Sequence, residues 1–102
     1  LITATYTSEG AKGLLWDSGT KRREAAEQAI KSVGGTMEAF YFALGDKDAY
    51  VIVEAPDYAT VAGASIGINA SGAVRTKTIA LLSPEDIDKA VKKTVNYRAP
   101  GQ

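Results

Sequence analysis

The stretch LGDKDAYVIVEAPD, residues 44–57, reads as a polar turn, an apolar strand and a helix cap in direct succession. Gly45 to Asp48 has turn chemistry. Tyr50 to Val53 is aromatic and β-branched, as a half-buried strand requires, and Asp57 after Pro56 predicts an N-cap. The preceding run TMEAFYFAL, residues 36–44, is a second strand. Strict alternation places Met37, Ala39 and Tyr41 on one of its faces and Glu38, Phe40 and Phe42 on the other. The short polar link between the two runs predicts an antiparallel hairpin.

Working outward from the hairpin, LITATYT at residues 1–7 alternates Ile2, Ala4 and Tyr6 against threonines and is a first strand. Thr7-Ser8-Glu9 then opens a helix. Gly10 and Gly13 each weaken it by about 1 kcal/mol relative to Ala, which predicts a short element. Asp17-Ser18-Gly19-Thr20 breaks it and supplies a fresh cap, after which Ala25, Ala26, Ala29, Ile30 and Val33 form one apolar stripe that ends at Gly34-Gly35. Beyond Asp57, a second helix carries Ala59, Ala62, Gly63, Ile66 and Ala70 at helical spacing and stops at Gly72. AVRTKTIALL gives a fourth strand. SPEDIDKAVKK gives a third helix with Ser83 as cap, Pro84 at its first position and Ile87, Ala90 and Val91 as its stripe.

This order predicts an α+β fold, a ferredoxin-like βαββαβ antiparallel sheet with the main helices on one face plus a C-terminal helix. The expected organisation is one domain over residues 1–93 and a tail over 94–102. Two patterns do not suit a lone monomer. No charged residue lies between Asp57 and Arg75, and strands 2 and 3 are apolar or aromatic on both faces. A sheet with water on its bare side alternates with polar residues, so a cover such as a second subunit is expected there.

Twelve basic and twelve acidic side chains balance, so no net field draws the chain to nucleic acid or an anionic membrane. There is no cysteine and no histidine. Disulfides, iron-sulfur clusters, thiolate zinc and the commonest general base are therefore excluded, and no cofactor is expected. The chain opens on a strand without a basic lead or apolar run, which is read as cytoplasmic by default.

YTSEGAKGL, Arg22-Arg23, VGG followed by AFYFALG, then VIVEAPD and GAVRTKT together resemble the GYD domain family of small bacterial and archaeal proteins. Where that family carries Gly-Tyr-Asp or a close variant, this chain has Gly45-Asp46-Lys47-Asp48. The resemblance implies a dimeric α/β barrel, in which two sheets face each other, and it implies no particular activity.

Among the polar residues, Asp46, Asp48, Glu54 and Asp57 are the candidate oxygen ligands, but Glu54 and Asp57 stand about 20 Å or more along the strand from the turn. No metal site is expected. Tyr6, Tyr41, Glu54 and Arg75 are the candidate ligand-binding residues: the tyrosines bring hydroxyls to an apolar sheet, and Glu54 ends an apolar strand, where a cation such as Arg75 or Lys12 would pair with it. Three functions fit this pattern. The first is a homodimer that binds a small, partly apolar molecule. The second, by analogy of fold, is a cofactor-independent monooxygenase or isomerase. The third is a pure dimerisation module.

Overall fold

The computed structural model describes all 102 residues. In chain order the elements are β1 (Ile2–Tyr6), α1 (Ser8–Ser32), β2 (Thr36–Phe42), β3 (Ala49–Glu54), α2 (Tyr58–Ala70), β4 (Val74–Thr78) and α3 (Pro84–Ala90). The strands form one four-stranded antiparallel sheet in the order β2-β3-β1-β4. This is the ferredoxin-like arrangement expected from the element order. Both main helices pack on one face, where Ile2, Ile30, Val51 and Ala64 make one buried cluster and Ala4, Ala49 and Val74 another.

The hairpin forms as expected, and its turn is anchored by Asp48. The Asp48 carboxylate accepts a 2.8 Å bond from the Tyr6 amide, its own amide donates to the Ala4 carbonyl at 2.9 Å, and its carbonyl receives the Ala43 amide at 2.8 Å. A surface turn is thereby tied to the central strand β1.

Strict alternation fails in β2. The pairing register shifts between Met37 and Ala39, leaving Glu38 as an extra residue opposite β3. A bulge of this kind flips the face of everything before it. Met37 therefore joins Phe40 in packing against the core, instead of sharing a face with Tyr41. Phe40 and Phe42 lie on the helix side edge to face, with ring centroids 5.1 Å apart.

The expected break at residues 17–20 is a kink within α1, whose Ser18 stands at φ 76°, ψ 166°. The segment before the kink, Ser8 to Asp17, is the short helix that its glycines suggested. Gly10 also serves a close approach: a Cβ there would run into the Ala73 carbonyl. Thr7 caps α1 through the Gly10 amide and also donates its hydroxyl to the Gly72 carbonyl at 2.9 Å, so the start of α1 is pinned to the link before β4.

The stripe expected for α2 is not the face that docks on the sheet. Ala59, Ala62, Gly63, Ile66 and Ala70 face outward, whereas Val61, Ala64 and Ile68 turn toward the sheet. In a helix this rich in Ala, Gly and Ile both arcs look apolar, and only the direction of docking separates them. Asp57 caps α2 as expected, accepting the Thr60 amide at 2.7 Å. No helix is long and apolar enough to cross a membrane.

β4 ends at Thr78, sooner than the run to Leu82 suggested, and every residue from Lys77 onward is exposed. The Ser83–Asp86 capping box and Pro84 build α3 as the sequence predicts, but its Ile87, Ala90 and Val91 are all exposed. The radius of gyration is 17.2 Å, against about 13 Å for a compact chain of this size. The arm beyond the sheet accounts for the excess.

Candidate functional site

Two regions of the sheet can engage something outside the chain. The first is a cavity of about 320 Å³ between α1 and the helix-side face of the sheet. Ala25, Ala26 and Ala29 supply its helix wall, and Ala4, Phe40, Ala49 and Val74 its floor. The small side chains of α1 cannot fill the space above the strands, which leaves the cavity. Four of the lining residues carry polar side chains: Tyr6, Arg22, Ser71 and Thr76. Two of these are satisfied within the chain, since the Ser71 hydroxyl donates to the Ile68 carbonyl at 2.7 Å and the Thr76 hydroxyl accepts from the Asn69 side-chain amide at 2.9 Å.

The second region is the face without helices. Its cross-strand neighbours include Tyr41, Tyr50, Thr3 and Lys77 in one row, with Ala39 and Ile52 beside them and Arg75 opposite Thr5. Tyr41 is 68% exposed, Tyr50 38% and Ile52 36%. Thr3 is buried although no helix lies over it, because the larger side chains of the neighbouring strands enclose it.

The four candidate ligand-binding residues are therefore divided between these regions. Tyr6 lines the cavity. Tyr41, Glu54 and Arg75 lie on the helix-free face. Glu54 and Arg75 sit at opposite ends of that face, since Arg75 pairs with Thr5 whereas Glu54 lies beyond the level of Ile2; the separation is about 20 Å along the strands. The ion pair expected for Glu54 does not form, and the chain's one ion pair is Lys31 with Glu27 on the surface of α1. The four acids of the hairpin region do not converge either: Asp48 holds β1, Asp57 holds α2, and Asp46 and Glu54 are exposed.

The Thr60 backbone amide, bonded to the Asp57 carboxylate, holds that group below its ordinary value of 3.8. The shift is the one a helix cap produces.

Arg22 and Asp48 were missed as contributors. Arg22 had a signal: residues 22, 25, 26, 29, 30 and 33 form one helical stripe. Asp48 had none, since its partner is a backbone amide 42 residues away.

No solved structure matches the chain. A protein of Thermus thermophilus named glutamine synthetase and cystathionine beta-lyase binding protein is 29% identical over 92 residues, which span 90% of this chain and 96% of that one. The family model described as GYD domain matches residues 1–91. With the expected sheet order and the quoted motifs all inside that span, the chain belongs to the GYD domain family.

Proposed function

We propose that this protein is a homodimeric binding module that docks on other proteins, with its subunits paired through the helix-free face of the sheet. The exposed row of Tyr41, Tyr50 and Ile52 on that face carries the reading. Such a face, left to water, would be an apolar patch of the kind that marks an interaction site. The C-terminal arm supports it. Ile79, Leu81, Leu82, Ile87, Val91 and Tyr97 are all exposed, and a helix as short as α3 is marginal in water without a surface to pack on. A second subunit supplies that surface.

The relative's name brings the class of outside partner. An enzyme of amino-acid metabolism is the partner proposed, contacted by surfaces that remain open after pairing, including the uncharged outer arc of α2. Tyr41, Glu54 and Arg75 then belong to the subunit interface or its rim, and Tyr6 to the cavity behind it.

Light scattering over a concentration series, with Ile52→Glu as the variant, tests the pairing. A dimer burying more than about 1,000 Å² is expected for the native chain and a folded monomer for the variant; a native monomer at micromolar concentration overturns the pairing. Co-sedimentation with glutamine synthetase and with cystathionine β-lyase of the source organism tests the docking. Failure to co-sediment with either overturns that part.

A further inference from the structure

The geometry points to the cavity between α1 and the sheet as a binding site for a small apolar carboxylate, with Arg22 as the anchor for its charge and Tyr6 as a second donor. The cavity opens on the helix side of the sheet, opposite the proposed subunit interface, so the two readings stand or fall separately.

Volume and lining set the body of the ligand. An engineered apolar cavity of about 150 Å³ takes benzene, so one of about 320 Å³ takes a molecule roughly twice that size. Ala, Ile, Val and Phe side chains dominate the wall, which selects a hydrocarbon chain or ring over a sugar or a nucleotide.

The unmatched polar groups set the head. Ser71 and Thr76 are already bonded within the chain. Arg22 is the one charged residue in the lining, and it takes no part in any ion pair. Its helical neighbours at three and four residues, Ser18, Gly19, Ala25 and Ala26, include no acid that could reach it. The Tyr6 hydroxyl also makes no hydrogen bond within the chain; the residue is held by its backbone, through the Asp48 carboxylate and its pairing with Val74. The free guanidinium is a pure donor and the phenol is available as another. A ligand that satisfies both brings acceptors, and a carboxylate meets a guanidinium in bidentate fashion.

Apolarity distinguishes this ligand from a free inorganic anion. A phosphate ion would give up its hydration to an alanine-lined wall and gain nothing from it, whereas a medium-chain carboxylate places its tail there and its head at Arg22.

Calorimetric titration with octanoate, 1-octanol and inorganic phosphate tests the site on the native chain and on Arg22→Met and Ala29→Leu. Met keeps an apolar stem at position 22 and removes the charge. Leu at position 29 fills the cavity from the helix side. Octanoate is expected to bind at least tenfold more tightly than octanol to the native chain, and Arg22→Met to bring octanoate down to the level of octanol without changing octanol. Ala29→Leu should weaken both, and phosphate should displace neither. Equal affinity for octanoate and octanol in the native chain, binding of neither, unchanged octanoate affinity in Arg22→Met, or displacement by phosphate would each overturn the proposal. Thermal melts of the variants confirm that they are folded, and if Arg22→Met is not, Arg22→Gln takes its place with the same expected outcomes.

Discussion

The two faces of this sheet are made by the same strands and yet live under different conditions. On the helix side, Ile2, Ala4, Ala49, Val51 and Val74 are buried by α1 and α2. On the other side, Tyr41, Tyr50 and Ile52 are larger and more apolar than a solvated face requires, and all three remain exposed with no helix packed over them. The covered face is apolar throughout, with Ile2, Ala4, Phe40, Ala49, Val51 and Val74 beneath the helices. The bare face mixes Thr3, Thr5, Arg75 and Lys77 with Tyr41, Tyr50 and Ile52, and aromatic enrichment of this kind is what interaction surfaces show. The difference teaches that the helix side is stabilised within one chain, while the other side depends on what the chain meets.

Mutations on the two faces should therefore differ in kind. Ile30→Ala empties a position in the core beneath α1 and is expected to cost about 2–4 kcal/mol, independent of protein concentration. Ile52→Ala, on the bare face, should cost less than about 1 kcal/mol in the monomer and act on a melting temperature that rises with concentration in the native chain. Urea unfolding at two protein concentrations checks both. A concentration-dependent loss for Ile30→Ala, or a concentration-independent one of equal size for Ile52→Ala, would erase the distinction between the faces.

Gly10 and Gly13 sharpen the comparison within α1 itself. Gly10→Ala pushes a methyl group into the Ala73 carbonyl and is expected to destabilise by about 1–3 kcal/mol through forced backbone shifts. Gly13 has open space around the position of a Cβ, so Gly13→Ala should stabilise by up to about 1 kcal/mol through helix propensity alone. Opposite signs in thermal denaturation confirm that only the first glycine is held by tertiary contact.

The smallest effect concerns Asp57. Its folded carboxyl titrates below 3.8 because it accepts the Thr60 amide. The group is ionised in both states above the unfolded value, so the cap's contribution is complete there and is lost as pH falls through the lower folded value. The melting temperature of Asp57→Ala should thus lie below that of the native chain at pH 7, and the gap should narrow as pH is taken below 3.8. A gap that widens on acidification would remove the assignment.

The order of elements, the hairpin turn, and the caps at Asp57 and Ser83 were legible from the residues, because each rests on interactions among neighbours in the chain. So was the mismatch of the bare face, since alternation along strands 2 and 3 leaves apolar residues on both sides. The Glu38 bulge, the outward turn of the Ala59–Ala70 stripe and the junction of Gly10 with Ala73 belong to the tertiary structure. A bulge depends on how β2 meets β3. The direction of an all-apolar helix depends on which arc the sheet accepts. A glycine reserved for close approach looks from the sequence like one that merely weakens a helix.

The candidate site divides along the same line. The residue types for binding were visible, and Tyr6 and Arg22 could both be read on apolar stripes. That Tyr6 and Tyr41 lie on opposite faces, and that Glu54 and Arg75 stand at opposite ends of one, was decided only when the strands took their register. Sequence alone determined which residues are apolar, which turn and which cap, because those are properties of the local chain. Only the tertiary structure decided which of them meet, because a contact between residues tens of positions apart depends on the register and docking of whole elements.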